Sequence, residues 1–244
     1  MKKAVWIIIS IILCISSCKK ENLCDCFKST GDIITEDRAI TNFSSIFVSD
    51  NINLYLTQDS VYSIKVEAGE HLMPLITTEL KSDSLFIENK NTCNWVRSYK
   101  PKINVYISMP VLVFFQNSGC GTITTNNTFT GDSLRFYSIN SSGDLTLSMD
   151  VKKCYLTIHT GCLNVTACGK ADYLDVYYIG SGMIHCENVN AKDVFVTNKS
   201  TGDIYVRASE KLYYNITWTG DVYYSGDPTD LSGTDTGDGN LLKL

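Results

Sequence analysis

Gly143-Asp144-Leu145, Gly182-Met183-Ile184, Gly202-Asp203-Ile204 and Gly220-Asp221-Val222 are one short phrase written four times: a glycine, a variable residue and an aliphatic one. The wider series Gly121, Gly143, Gly161, Gly182, Gly202, Gly220 and Gly239 recurs at intervals of 22, 18, 21, 20, 18 and 19 residues. A period near twenty points to a solenoid. The second residue after each glycine is aliphatic throughout: Ile123, Leu145, Leu163, Ile184, Ile204, Val222 and Leu241. The fourth is apolar in the middle of the series (Leu147, Val165, Cys186, Val206), with mostly polar residues between. That alternation predicts a strand with one buried face.

A second strand falls midway. Leu134, Cys154, Leu174, Val194 and Leu212 lie 20, 20, 20 and 18 residues apart, each followed two residues on by Phe136, Leu156, Val176, Val196 or Tyr214. Stacking at about 4.8 Å per coil sets these residues above one another in continuous internal rows. The expected architecture is all-β: a parallel β-helix with coils of about 20 residues over 114–244. The alternative is an antiparallel sandwich or barrel with a glycine turn every ten residues or so. It would need tight Asn-Gly or Asp-Gly turns between paired strands, which are absent there. The glycines are expected at corners with φ > 0.

Outward from the repeat, 44% apolar content and four prolines suit a folded chain, and a net charge of -5 without a basic patch excludes nucleic acid as a partner. Residues 31–113 read as further short strands packing on the solenoid or continuing into it. They include Ile46-Phe47-Val48, Ile52 to Leu56, Tyr62 to Val66, Ser84 to Ile87, Ile103 to Ile107 and a run from Val111 to Phe115. His71 to Leu80, with Pro74, reads as a turn or one helical turn. The last coil, with Gly233, Gly237 and Gly239, is expected to be a polar cap or a contact edge.

Residues 1–17 read as a signal peptide: Lys2 and Lys3, then an apolar stretch too short to span a bilayer. Ile15-Ser16-Ser17-Cys18 resembles a bacterial lipobox, which implies cleavage before Cys18 and its acylation, with palmitate among the chains. The implied partner is a membrane, since several acyl chains anchor where one does not. An ordinary secretory signal is the alternative. Lys19 and Lys20 suit sorting to an outer membrane. Residues 18–30 form a tether whose Cys24-Asp25-Cys26 reads as two exported thiols rather than a metal site. Cys154 and Cys186 fall in the internal rows and read as small buried apolar residues, while Cys162 falls outward and Cys120 beside a corner.

The order Gly31-Asp32-Ile33, Arg38, Phe43, Ile46, Val48, Asn51-Ile52-Asn53, with later units such as Asn117-Ser118-Gly119-Cys120-Gly121-Thr122-Ile123 and Ile179-Gly180-Ser181-Gly182-Met183-Ile184, resembles the auto-transporter adhesin, head GIN domain family. Asn51 stands where that family usually has glycine. The resemblance covers roughly residues 31–244. It implies a right-handed β-helix on an exported bacterial protein, no established activity and no catalytic residues.

No cofactor, metal site or catalytic group is expected. His71, His159 and His185 are dispersed, and no Gly-x-Ser-x-Gly occurs. Asp144, Asp203 and Asp221 follow corner glycines; as a close pair in a cleft they would suit a β-helical polysaccharide lyase or hydrolase, but aspartate beside glycine is also turn chemistry. The outward aromatics Tyr155, Tyr177, Phe195, Tyr205, Tyr213 and Tyr223, with Trp218 near a corner, are candidates for a platform contacting glycan or a surface protein. Tyr205, Tyr223, Tyr177 and Trp218 are the binding residues the sequence nominates. The functional expectation is a non-enzymatic envelope lipoprotein of adhesive or binding character.

Overall fold

A computed structural model of the chain describes residues 29–92 and 102–244. Residues 1–17, read as a signal peptide, and Cys18, Cys24, Cys26 and Cys93 lie outside the described residues.

The fold is a parallel β-solenoid of about six turns. Two ladders of strands run along it. The first follows the glycine corners: β7 (Ile103–Met109), β3 (Ile52–Gln58) and β9 (Ile123–Thr125), then the leading parts of β11 (Asp144–Gly161), β12 (Asn164–Ile179), β13 (Ile184–Asn198) and β14 (Ile204–Ile216), then β15 (Val222–Ser225) and β17 (Leu241–Lys243). The second holds β6 (Ser84–Asn89), β2 (Ser45–Asp50), β8 (Phe114–Gly119), β10 (Phe129–Ser141), the trailing parts of β11 to β14, and β16 (Asp230–Asp235). All these pairings are parallel.

The midway row is continuous: Leu134 pairs with Cys154, Cys154 with Leu174, Leu174 with Val194, Val194 with Leu212 and Leu212 with Leu231. From Leu134 to Leu212 these residues are at most 3% exposed, whereas Leu231, under the open end, is 45% exposed. Each buried aliphatic contributes about 1.5–3 kcal/mol by leaving water, but only because the neighbouring coil covers it. Cys154 and Cys186 sit in this core as expected, and burial pushes the Cys154 thiol up to about 12.

Two readings of the glycine corner are corrected. First, the corner residue of the third coil is Leu163, not Gly161. Gly182 sits over the Leu163 carbonyl and Gly161 over that of Ser141, so Leu145 pairs with Val165 and Val165 with Ile184. Second, of the corner glycines Gly121, Gly143, Gly182, Gly202, Gly220 and Gly239, only Gly143 has positive φ, +97°. The others are glycine because the coil beneath is too close. A Cβ at Gly202 would lie 1.8 Å from the Gly182 carbonyl oxygen, and one at Gly220 would lie 2.2 Å from that of Gly202.

The chain does not wind in sequence order at its start. β2 and β3 lie between the coil made by β6 and β7 and the coil made by β8 and β9. β1 (Ile33–Asp37), before β2, and the excursion through β4 (Ser63–Gly69) and β5 (Ile76–Lys81) between β3 and β6 add antiparallel strands at this end, pairings that spacing alone does not indicate. β4 lies on β7, β1 on β4, and β5 on β6. A 3-10 turn at Met73–Leu75 occupies the stretch around Pro74. The run from Val111 enters its strand only at Phe114, with Val111 and Val113 exposed. At the other end every residue of β16 is exposed. Asp230 and Asp235 stand at its two ends, and such charge disfavours edge-to-edge pairing.

Candidate aromatic binding faces

Side chains alternate along each strand, so both ladders present outward columns. On the first ladder one column runs Tyr106, Tyr55, Thr124, Thr146, Thr166, His185, Tyr205, Tyr223, Leu242. Its rings lie directly above one another. Tyr205 and Tyr223 are 4.7 Å apart and 7° from parallel, and His185 and Tyr205 are 4.7 Å apart and 12° from parallel. Such rings cover each other's faces and leave edges and hydroxyls outward. Loss of solvent contact, followed by nearby Asp203 and Asp221, raises both phenols above the usual tyrosine range. Glu187 Oε1 lies 3.1 Å from His185 Nδ1.

The second ladder carries a different arrangement. Tyr155, Tyr173, Phe195 and Tyr213 run across successive coils with centroid spacings of 5.6, 5.0 and 5.9 Å and interplanar angles of 48°, 31° and 36°. Rings so tilted cover one another's faces only in part. Arg135 lies over Tyr155 at 4.9 Å and Lys211 over Phe195 at 5.6 Å. The Tyr173 hydroxyl donates to Asp175 Oδ2 at 3.2 Å. Burial, then the Asp175 charge, pushes the Tyr173 phenol up to about 12, and burial also raises the Asp175 carboxyl. Beside this run, Tyr137, His159 and Tyr177 form a second tilted series, each contact at 47°, with Lys199 Nζ 5.3 Å over Tyr177.

The four nominated residues therefore do not make one platform. Tyr205 and Tyr223 are a closed stack on the first ladder. Tyr177 belongs to the second, and Trp218, 56% exposed, stands at the corner beyond it. Tyr173 was missing from the outward set because its column, Lys153, Tyr173, Asp193, Lys211, is otherwise charged.

The corner carboxylates are occupied by the fold. Asp203 Oδ1 accepts the Asp221 amide at 2.9 Å, and Asp221 Oδ1 accepts the Asn240 amide at 2.8 Å. Asp144 Oδ1 accepts from Asn164 Nδ2 at 3.1 Å, and Asn164 in turn accepts the Met183 amide. Each thus joins its coil to the next. Among the described residues no three His, Cys, Asp or Glu side chains converge as metal ligands.

The family described as "Putative auto-transporter adhesin, head GIN domain" matches residues 42–228, most of the chain. The chain belongs to that family. As a GIN-domain protein it is an adhesin-like module of a family associated with export or the cell surface. Solved structures agree on the fold. A protein from Bacteroides fragilis described as a "putative adhesin" superposes with a TM-score of 0.83 at 24% identity, covering 89% of this chain and 100% of the other. One from Parabacteroides distasonis, described as a "putative lipid binding protein", gives 0.71 at 18% identity over 89% and 100%. Another from the same species, described as a "putative adhesin", gives 0.68 at 20% identity over 88% and 99%. Identities this low speak for the fold alone. The comparison with curated proteins found no match.

Proposed function

We propose that this GIN-domain protein is an envelope adhesion module, held at a membrane by acyl groups on Cys18, which binds glycan through the outer face of its second ladder. The observation that carries this reading is the tilted run Tyr155, Tyr173, Phe195, Tyr213, a row of half-exposed rings over four coils with the Arg135 and Lys211 cations resting over Tyr155 and Phe195. Pyranose rings present C–H groups that suit aromatic faces, while flanking cations and Asp175 provide hydrogen bonds that orient a sugar. A rigid parallel solenoid keeps such a face extended over several coils, which favours repeating ligands over single small molecules.

A glycan array probed with the full chain tests the reading. Binding to a polysaccharide series is expected, and its absence across the array, with protein-coated surfaces bound instead, would replace glycan by protein as the ligand. The anchor is tested separately. Cys18→Ala is expected to move the protein from the membrane fraction to the soluble fraction and to remove the acyl mass from its N-terminal peptide. An unchanged distribution would remove the anchor from the account.

A further inference from the structure

At the corner where the second ladder ends, a groove of about 420 Å³ runs across four successive coils. Its floor includes Gly161 and Gly180, and the backbone dictates both. Gly161 has φ +105° and a Cβ there would lie 1.9 Å from the Ser141 carbonyl oxygen; a Cβ at Gly180 would lie 2.7 Å from the buried Tyr178 ring. The floor is therefore bare for structural reasons. Its walls carry Trp218, 56% exposed, and Lys199, with Ser181 and Thr201 between. Lys199 is the only charged side chain lining the groove, in a chain of net charge -5. Its ammonium rests over Tyr177 at 5.3 Å, which holds it at the groove edge through cation–π attraction.

We propose that this groove binds one residue of an acidic sugar, a hexuronate, with the ring against the Trp218 indole and the carboxylate paired with Lys199. An indole wall suits the apolar face of a pyranose, and the Ser181 and Thr201 hydroxyls between the walls suit its hydroxyl groups. One ammonium with no acid among the lining residues matches a monoanion; a phosphate dianion would call for more than one cation. The site is separate from the Tyr155–Tyr213 run and does not depend on it.

The test is a fluorescence titration of the full chain with tetragalacturonate and with its fully methyl-esterified form, using Trp218→Phe as the blank. Lys199 and Trp218 are both exposed, so their variants keep the fold. A saturable change with the acid is expected, absent in Trp218→Phe. Lys199→Gln is expected to weaken acid binding about tenfold and to leave the ester within about twofold, as the loss of a charge-assisted contact dictates. Added salt should weaken the wild type and spare Lys199→Gln. The proposal is overturned if neither oligomer titrates, if acid and ester bind equally, or if Lys199→Gln binds the acid as the wild type does.

Discussion

The first and second ladders are built from the same coils, yet their outer aromatics differ in kind. On the first, Tyr205 over Tyr223 and His185 over Tyr205 are register partners and lie within 12° of parallel. On the second, Tyr173 pairs in register with Lys153 and Asp193, so it meets Tyr155 and Phe195 diagonally, at 48° and 31°. The same rule holds elsewhere. Register partners Phe47 and Phe86 lie at 11°, while the diagonal pair Phe47 and Phe114 lies at 45°. Phe195 and Tyr213 depart from it, being register partners at 36°, beside the packed Lys211. A ring directly above another closes a column; a ring one column across opens it. The outward chemistry of a solenoid is thus set by register as much as by residue type.

Both faces depend on the glycine corners, so the most damaging change strikes there. Gly202→Ala is expected to cost about 3 kcal/mol, because a backbone carbonyl must move to admit the methyl group. Gly131→Ala, with nothing within 4 Å of its Cβ, should stay within about 0.5 kcal/mol of the wild type. Urea unfolding measures both, and equal effects would break the close-approach account of the corners. A smaller loss separates the faces. Tyr205→Ala removes a ring stacked on both sides and should cost about 1 kcal/mol while sparing glycan binding; a stability unchanged by it would mean the closed column is not cohesive.

The smallest effect lies at Asp175, whose carboxyl burial raises above its unfolded value. A raised acid favours the fold below the unfolded pKa, and this contribution is lost as pH rises through the folded pKa. Asp175→Asn should therefore unfold at a higher temperature than the wild type at neutral pH, with the gap closing in acid. Thermal melts across pH check this, and a gap that widened toward acid would reverse the sign.

The solenoid was legible because its period survives in the spacing of apolar residues: Leu134, Cys154 and Leu174 are exact register partners. The ring geometry was not. Tyr155 and Tyr173 are 18 residues apart, as are Tyr205 and Tyr223. The first coil takes 20 residues, pairing Tyr155 with Asp175, whereas the second takes 18 and pairs the two tyrosines. Equal spacing thus gave a diagonal in one place and a stack in the other. Leu163 hid in the same way, since a glycine two residues earlier mimicked its corner. The interleaving of β2 and β3 between later coils left no trace in spacing, because the excursion through β4 and β5 separates strands that end up adjacent.

The proposed glycan contact lies on the tilted rings of the second ladder and not on the closed stacks of the first. The direct measurement is the affinity of two double variants, Tyr173→Ala/Phe195→Ala and Tyr205→Ala/Tyr223→Ala, for a polysaccharide that the wild type retains on an array. At least about a tenfold loss is expected for the first pair, as when central aromatic contacts are removed, and binding within about twofold of the wild type for the second. Equal losses, or a loss confined to the second pair, would contradict it.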